Sequence, residues 1–357
     1  MRFDMNKLEF LSFGGGADSS CLLAMHLNIK KAAALLEMKI EDLRKVIPDY
    51  DAIVFSDPGS EWPETYENIE YAERLCYEAH VRFEILRYKQ GFYRHKGTNE
   101  RIRVKEYRAL DGAEKENYYH VIEPYSISDW LIEAGSLPML PGASHVCSDK
   151  FKGGVQRKWA DNEFPGVHKI WTLGIEANES KRHKRFTMNK TKRANKGVEE
   201  IAGHDFRYPL IELGLTRNDC LEMLDKLGWD YSGKGIPVAK SSCMWCPWLS
   251  DWEVDRLVDA DGIGLQQALA IEKSFYKKDK HVDWHEAGEP LNAGGRCFAG
   301  HHRQPYVTGY CDEPQCASHN KHGKATLIQV KYPDKDGKKR RLTVAEHVER
   351  VRSKTDD

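Results

Sequence analysis

The chain is predicted to be an α/β protein built on a doubly wound, mostly parallel sheet, with a Cys- and His-rich C-terminal extension. Three observations predict it. Short apolar strand patterns alternate with helical periodicity through the first half of the chain. A glycine triplet joins the first strand to the first helix within residues 8–23, LEFLSFGGGADSSCLL. Polar segments follow the apolar strands, where open α/β sheets place their ligands.

Taken in order, the pattern gives a strand at 8–13, helices at about 17–30 and 37–46, and a strand at 51–56 (DAIVF at its core). A helix at about 63–79 and a strand at 81–87 complete two βαβ units. The polar, aromatic-rich stretch 88–125 reads as an insertion or flap. Helical patterns near 126–134 and 148–160 lead to a strand at 168–175, HKIWTLGI. YPLIEL at 208–213 reads as a further strand. Thr216, with Asp219 three residues later, marks the start of a helix running to about Leu227. These elements form a nucleotide-binding domain over 1–250. The remainder, 251–357, carries helical periodicity to about 277, an irregular stretch from Gly288 to Gly323 that needs a staple, a β-hairpin around Asp336-Gly337 and a last short helix.

Composition sets the boundaries. A chain of 357 residues with 40% hydrophobic content buries one large core or two smaller ones. Its formal net charge of −1 supplies no global pull toward nucleic acid or anionic membrane, so such binding must come from local clusters. No stretch approaches a membrane span and the first residues lack a secretory signal, so a cytoplasmic protein is expected. In that compartment the nine cysteines read first as metal or cluster ligands, with Cys21, Cys76 and Cys220 in apolar helical patterns as packing residues.

The glycine junction is the most informative feature. Gly14, Gly15 and Gly16 leave no side chain between main-chain N–H groups and an anion, and the following helix points its free amides and positive dipole end at the same place. The Walker and G-x-G-x-x-G patterns do not fit. The amides of Gly14 to Gly16, Ser19 and Ser20 are therefore candidate phosphate ligands. Asp18 is read either as a carboxylate that shares a Mg²⁺ with phosphate oxygens or as a helix-start acid. Asp57 is read either as an acceptor for ribose or adenine or as ordinary turn chemistry.

The junction resembles the pyrophosphate loop (PP-loop) of the adenine nucleotide alpha-hydrolase superfamily, Ser-Gly-Gly-x-Asp-Ser with Gly14 in place of the first Ser. Further stations resemble the phosphoadenylyl-sulfate (PAPS) reductase family. They are Asp57-Pro58-Gly59 with Pro63-Glu64-Thr65, Gly174-Ile175-Glu176 with Glu179-Ser180 and Arg182, Tyr208-Pro209-Leu210, and Cys147 with Lys152. The likeness spans roughly 8–250 and implies a Rossmann-like nucleotide fold binding ATP, PAPS or adenylyl sulfate (APS). Asp18, Lys152 and Arg182 become the catalytic candidates, and Asp57, Gly174, Glu179 and Ser180 join the glycine loop as nucleotide ligands. Two departures bear on the reaction: Glu176 stands where the family has Arg, and no Glu-Cys-Gly-His segment supplies the reductase nucleophile. The reading favoured is thus ATP cleavage between its α and β phosphates, adenylating an acceptor for sulfur transfer, ahead of PAPS or APS reduction and of a nucleotide-gated regulatory component without turnover.

The run from Lys181 to Lys196, KRHKRFTMNKTKRANK, holds no acid. Arg182 or Arg185 is placed to clamp a leaving phosphate, and Lys190 to Lys196 to meet a nucleic-acid backbone, against the alternative of a solvated loop. Cys243 and Cys246, with Cys147, suit a 4Fe-4S cluster, a zinc ion with His145 as fourth ligand, or packed unligated thiols. Cys297, Cys311, Cys316 and His319, among the neighbouring His301, His302 and His322, form a candidate structural zinc site.

Overall fold

The computed structural model describes residues 7–138, 146–179, 203–230, 241–279, 295–296, 303–304, 327–328, 330–333 and 339–355. Contacts divide the chain into two compact units, one of residues 1–57, 61–86 and 152–242 and one of 58–60, 87–151 and 243–357. The division is not sequential, since 87–151 falls with the C-terminal part. Strands in chain order are β1 (Lys7–Phe13), β2 (Ala52–Asp57), β3 (Phe83–Arg87), β4 (Lys89–His95), β5 (Arg101–Arg103), β6 (Tyr118–Pro124), β7 (His168–Leu173) and β8 (His204–Arg207).

In the first unit a five-stranded sheet has the order β3-β2-β1-β7-β8. β1 pairs in parallel with β2 and with β7, and β7 in parallel with β8. The chain therefore builds outward from β1 to one edge, then returns to the other side of β1 to build the second half. That reversal puts a topological switch point between β1 and β7, at the carboxyl ends of the strands. The sheet is buried on both faces, as parallel sheets are. Leu11, Phe13, Ile53 and Phe55 face the helices Ala17–Leu27 and Arg217–Leu227, and Phe10, Ala52, Val54 and Trp171 face Ala160 of the helix Gly153–Glu163. Cys21, Cys76 and Cys220 are buried in the first of these cores, as packing residues.

The doubly wound α/β class is thus observed. The reading of 208–213 as a strand is corrected: Pro209 takes the first position of a one-turn helix, Pro209–Glu212, and the edge strand is His204–Arg207. Thr216 and Asp219 form the expected reciprocal cap, and Gly228 closes that helix in the left-handed region (φ 80°).

In the second unit β4 lies between β5 and β6 in an antiparallel three-stranded sheet, the structure of the stretch read as an insertion or flap. The helix Ile127–Ala134 follows, capped by Ser126 and ended by Gly135. The periodicity of 250–277 resolves into two helices, Asp251–Asp259 and Ile263–Asp279, separated at Asp261, whose φ of 40° breaks the helical path. Buried Glu272 accepts the amides of Leu327 (2.8 Å) and Val344 (2.7 Å), fastening the final helix Val344–Thr355. Residues 331–333 and 339–341 pair antiparallel, as a hairpin across Asp336-Gly337 requires. Among the described residues no helix is long and apolar enough to cross a membrane.

Candidate functional site

The site lies at the carboxyl end of β1. Gly15 takes a φ of +73°, the region open to glycine, and Gly16 caps the helix Ala17–Leu27 with an extended backbone. Most of that helix is buried, so its first turn is fixed in place by the core beneath it. The loop is further fastened by its own hydroxyls. The Gly14 N–H donates to Ser19 Oγ (3.1 Å), Ser19 Oγ donates to the Gly16 carbonyl (3.1 Å), and the Ser20 N–H donates to the same carbonyl (3.0 Å). The amides of the candidates Gly14 and Ser20 thus donate within the loop itself. The amides of Gly15, Gly16, Ala17, Asp18 and Ser19 belong to the loop and first turn, where intrahelical partners run out.

A buried network missed by the sequence reading holds this geometry. Asn68, on the helix Pro63–Glu78, donates to the Gly15 carbonyl (2.8 Å) and to Ser20 Oγ (3.0 Å), and accepts the Trp229 indole N–H (3.0 Å). The available signal was a polar residue on an apolar helical stripe, since Thr65, Asn68, Ile69, Ala72 and Cys76 are the buried positions of that helix. Ser241 was also missed. A Cβ on Gly16 would lie 3.1 Å from Ser241 Oγ and one on Gly14 3.4 Å from it, so this hydroxyl occupies the room the glycines leave.

Gly174 closes the switch point. A Cβ there would lie 2.9 Å from the Ser19 nitrogen and 3.2 Å from the Asp18 carbonyl carbon, so the turn after β7 runs directly against the first turn of the helix. Only a residue without a side chain leaves that turn uncovered. Beyond it, Glu176 accepts the Asn178 amide (2.7 Å) and so orders the short 3-10 helix Ala177–Glu179.

Asp18 carries the site's main electrostatic tension. Its Oδ2 accepts from Arg217 (2.8 Å), while Oδ1 is buried with no hydrogen-bond partner. Burial pushes its carboxyl above the ordinary range; Arg217 draws it back, and the charges of Glu179 and Glu176 push it up further. Arg217 is the first residue of the capped helix Arg217–Leu227, a position the sequence reading marked only as a helix start.

At the end of β2, Asp57 is buried and accepts from Tyr66 Oη (2.8 Å), and burial together with Asp57 raises the Tyr66 phenol. Nearby in sequence, Glu61 is 1% exposed; its Oε1 accepts from Lys152 Nζ (2.8 Å) and its Oε2 has no hydrogen-bond partner. Asp57 and Lys152 thus hold defined polar partners inside the first unit.

Cys147, Cys243 and Cys246 all belong to the second unit, where Cys243 is buried and the other two are half-buried, without disulfides. The Cys246 amide donates to the Cys243 carbonyl (2.9 Å), so Cys-x-x-Cys forms a tight turn. Among the described residues, no three His, Cys, Asp or Glu side chains come together as a group able to hold a metal ion. Ser180, Arg182, Arg185 and the rest of 181–196 lie outside the described residues, as do His145, Cys297, Cys311, Cys316, His301, His302, His319 and His322.

No protein-family model matches the chain, and no curated protein matches it. Among solved structures it is similar to the U34-tRNA thiolase NcsA from Methanococcus maripaludis with its 4Fe-4S cluster. The identity is 15%, the TM-score 0.32, and the alignment covers 80% of this chain and 74% of that one.

Proposed function

We propose that the chain is a PP-loop ATP pyrophosphatase that adenylates an acceptor, with a nucleic acid as acceptor and sulfur transfer as the purpose. The observation that carries the first part is the switch-point cradle: glycines 15 and 16, an uncapped first helical turn and a side-chain-free Gly174 meeting at the carboxyl ends of adjacent parallel strands. Such amides favour a polyphosphate, whose charge they meet without a desolvated counter-cation.

A Mg²⁺ suits the donor left over. Asp18 Oδ1 is a buried carboxylate oxygen without a partner, and Mg²⁺ is commonly held by one or two carboxylates plus substrate phosphates, so no larger cage is needed. When bound there it would neutralise charge on the departing pyrophosphate. The chain's own residues do the rest. The loop amides hold the β and γ phosphates, Asn68 and Ser19 keep those amides aimed, and Asp57 is the proposed acceptor for hydrogen bonds from the nucleoside. An acceptor oxygen attacks the α phosphorus and pyrophosphate leaves; Arg182 is the proposed clamp for its charge.

The finer assignment rests on the motifs alone. The Cys243-x-x-Cys246 pair and Cys147 are the candidate sulfur-handling thiols, and no step is assigned to a cluster or zinc ion because the described residues do not assemble its ligands.

The test is incubation of the full chain with ATP and Mg²⁺, alone and with total RNA. Pyrophosphate release, lost in Asp18→Asn, supports adenylation. Release of sulfite from PAPS or APS with a thiol donor, and none of pyrophosphate from ATP, overturns it in favour of sulfonucleotide reduction.

A further inference from the structure

One face of the β5-β4-β6 sheet is built unlike the rest of the chain. Register sets its members: Gly91 lies opposite Ile122, Tyr93 opposite His120 and His95 opposite Tyr118. Since side chains alternate along a strand, these six share one face with Ile102, which β5 sets opposite Tyr93, and the neighbouring positions share the other. The second face is the packed one: Phe92 is buried, the Arg101 guanidinium lies 4.2 Å from its ring centre, and Glu123 accepts from Arg94 (2.6 Å).

The first face is aromatic and largely free of acid. The rings of Tyr93 and His120 meet edge to face at 5.1 Å, as do those of His95 and Tyr118. His120 is exposed, yet its imidazole lies across bare backbone: a Cβ on Gly91 would come within 2.8 Å of its Nε2. Ile122 is 66% exposed beside it. The strands contribute no carboxylate here, because Glu123, their one acid on β4 or β6, points to the other face and is held by Arg94. Lys89 extends the face at one end. Tyr107 stacks on Tyr93 at 3.5 Å and 3° between planes, with Lys115 Nζ 5.9 Å from its ring centre.

Exposed His120 beside half-buried tyrosine rings, on strands that bring lysine and no carboxylate to this face, matches the two requirements of single-stranded nucleic acid: π-faces for bases and positive charge for phosphates. A protein partner would be expected to meet a larger aliphatic patch, and the strands contribute only Ile122 and half-buried Ile102 to this face. We propose that this face, centred on His120 and Ile122, binds single-stranded RNA by base stacking. The inference rests on the reading that the acceptor is a nucleic acid, and it identifies a recognition surface for it outside the basic run 181–196.

The experiment titrates fluorescein-labelled single-stranded RNA, a mixed-sequence 16-mer, with the full chain in nucleotide-free buffer and follows anisotropy. Wild type is expected to bind, more weakly as salt rises and more tightly than the annealed duplex. Ile122→Glu and His120→Ala are each expected to weaken binding by roughly tenfold, with unchanged melting temperature and unchanged ATP binding by calorimetry. Absence of RNA binding, equal affinity for the duplex, or wild-type affinity in both variants overturns the platform. So does capture of protein but no RNA by the wild-type chain and not by Ile122→Glu. Because ATP is measured separately, RNA binding without ATP binding retains the platform and removes the proposed activity, and the reverse result does the opposite.

Discussion

Substituting Gly174 with alanine adds a carbon 2.9 Å from the Ser19 nitrogen, where ordinary contact begins at 3.4 Å, so about 0.5 Å of movement is forced. The three nearest atoms, Ser19 N, Ser19 Cα and the Asp18 carbonyl carbon, are all backbone, so no flexible side chain can swing away. The helix they begin is buried over most of its length, so the turn after β7 and the first helical turn must move apart locally. Overpacking of this kind costs about 1–3 kcal/mol of stability. The larger effect falls on ligand: amides displaced by half an ångström, with a methyl laid over the Ser19 N–H, are expected to weaken Mg²⁺-ATP binding at least tenfold, about 1.4 kcal/mol. Calorimetric titration reads the affinity and thermal melting reads the fold. Gly112→Ala is the control, since nothing lies within 4 Å of a Cβ there. If Gly174→Ala binds ATP as wild type does, the cradle does not lie where β1 and β7 part.

Asn68→Leu leaves the Gly15 carbonyl and the Trp229 indole N–H without a buried partner; at about 1–3 kcal/mol per group, denaturant unfolding should detect a loss of several kcal/mol. Asp18→Asn should do the opposite, removing a buried carboxylate whose burial raises its pKa and whose Oδ1 has no partner. The variant is expected to melt higher than wild type while losing metal-dependent ATP binding, and a lower melting temperature would refute the strain. Arg217→Gln removes the cation that draws the Asp18 pKa down, so the acid limb of Mg²⁺-ATP binding should move to higher pH than in wild type. In the second unit, His347 is fully buried, has no partner on either ring nitrogen, and its pKa is pushed down to about 4 by burial and then by Arg350. Between the model-peptide value of 6.5 and pH 4 the unfolded chain binds a proton that the folded chain does not. Stability should therefore fall with falling pH by about 1.4 kcal/mol per unit. His347→Leu, compared with wild type by urea unfolding at pH 7 and pH 5, should show a shallower loss.

Much of the first unit was legible in sequence because each of its signals is local. The glycine triplet, the apolar cores of β1, β2 and β7, and the Thr216–Asp219 cap all act within a few residues of themselves. The segment 208–213 misled because its alternating apolar residues look like a strand, while Pro209 begins a helical turn and the actual edge strand, HDFR, carries a single apolar side chain. The sheet in 88–125 went unread because one of its faces is made mostly of Tyr, His and Gly, with few aliphatic residues, which hides the period-two pattern. Asn68, Arg217 and Ser241 reach the loop from 48 to 227 residues further along the chain, so only the fold could bring them there. The fate of the Gly14 and Ser20 amides depends on where one hydroxyl and one carbonyl point, which residue type does not specify.

The most direct measurement is a crystal structure of the full chain with Mg²⁺ and an ATP analogue bearing a methylene bridge between its α and β phosphorus atoms. The β and γ phosphates should lie against the main-chain N–H groups of residues 15–19, beside Gly174, with the metal on Asp18. Nucleotide bound elsewhere, with that turn untouched, would contradict the proposal at its root.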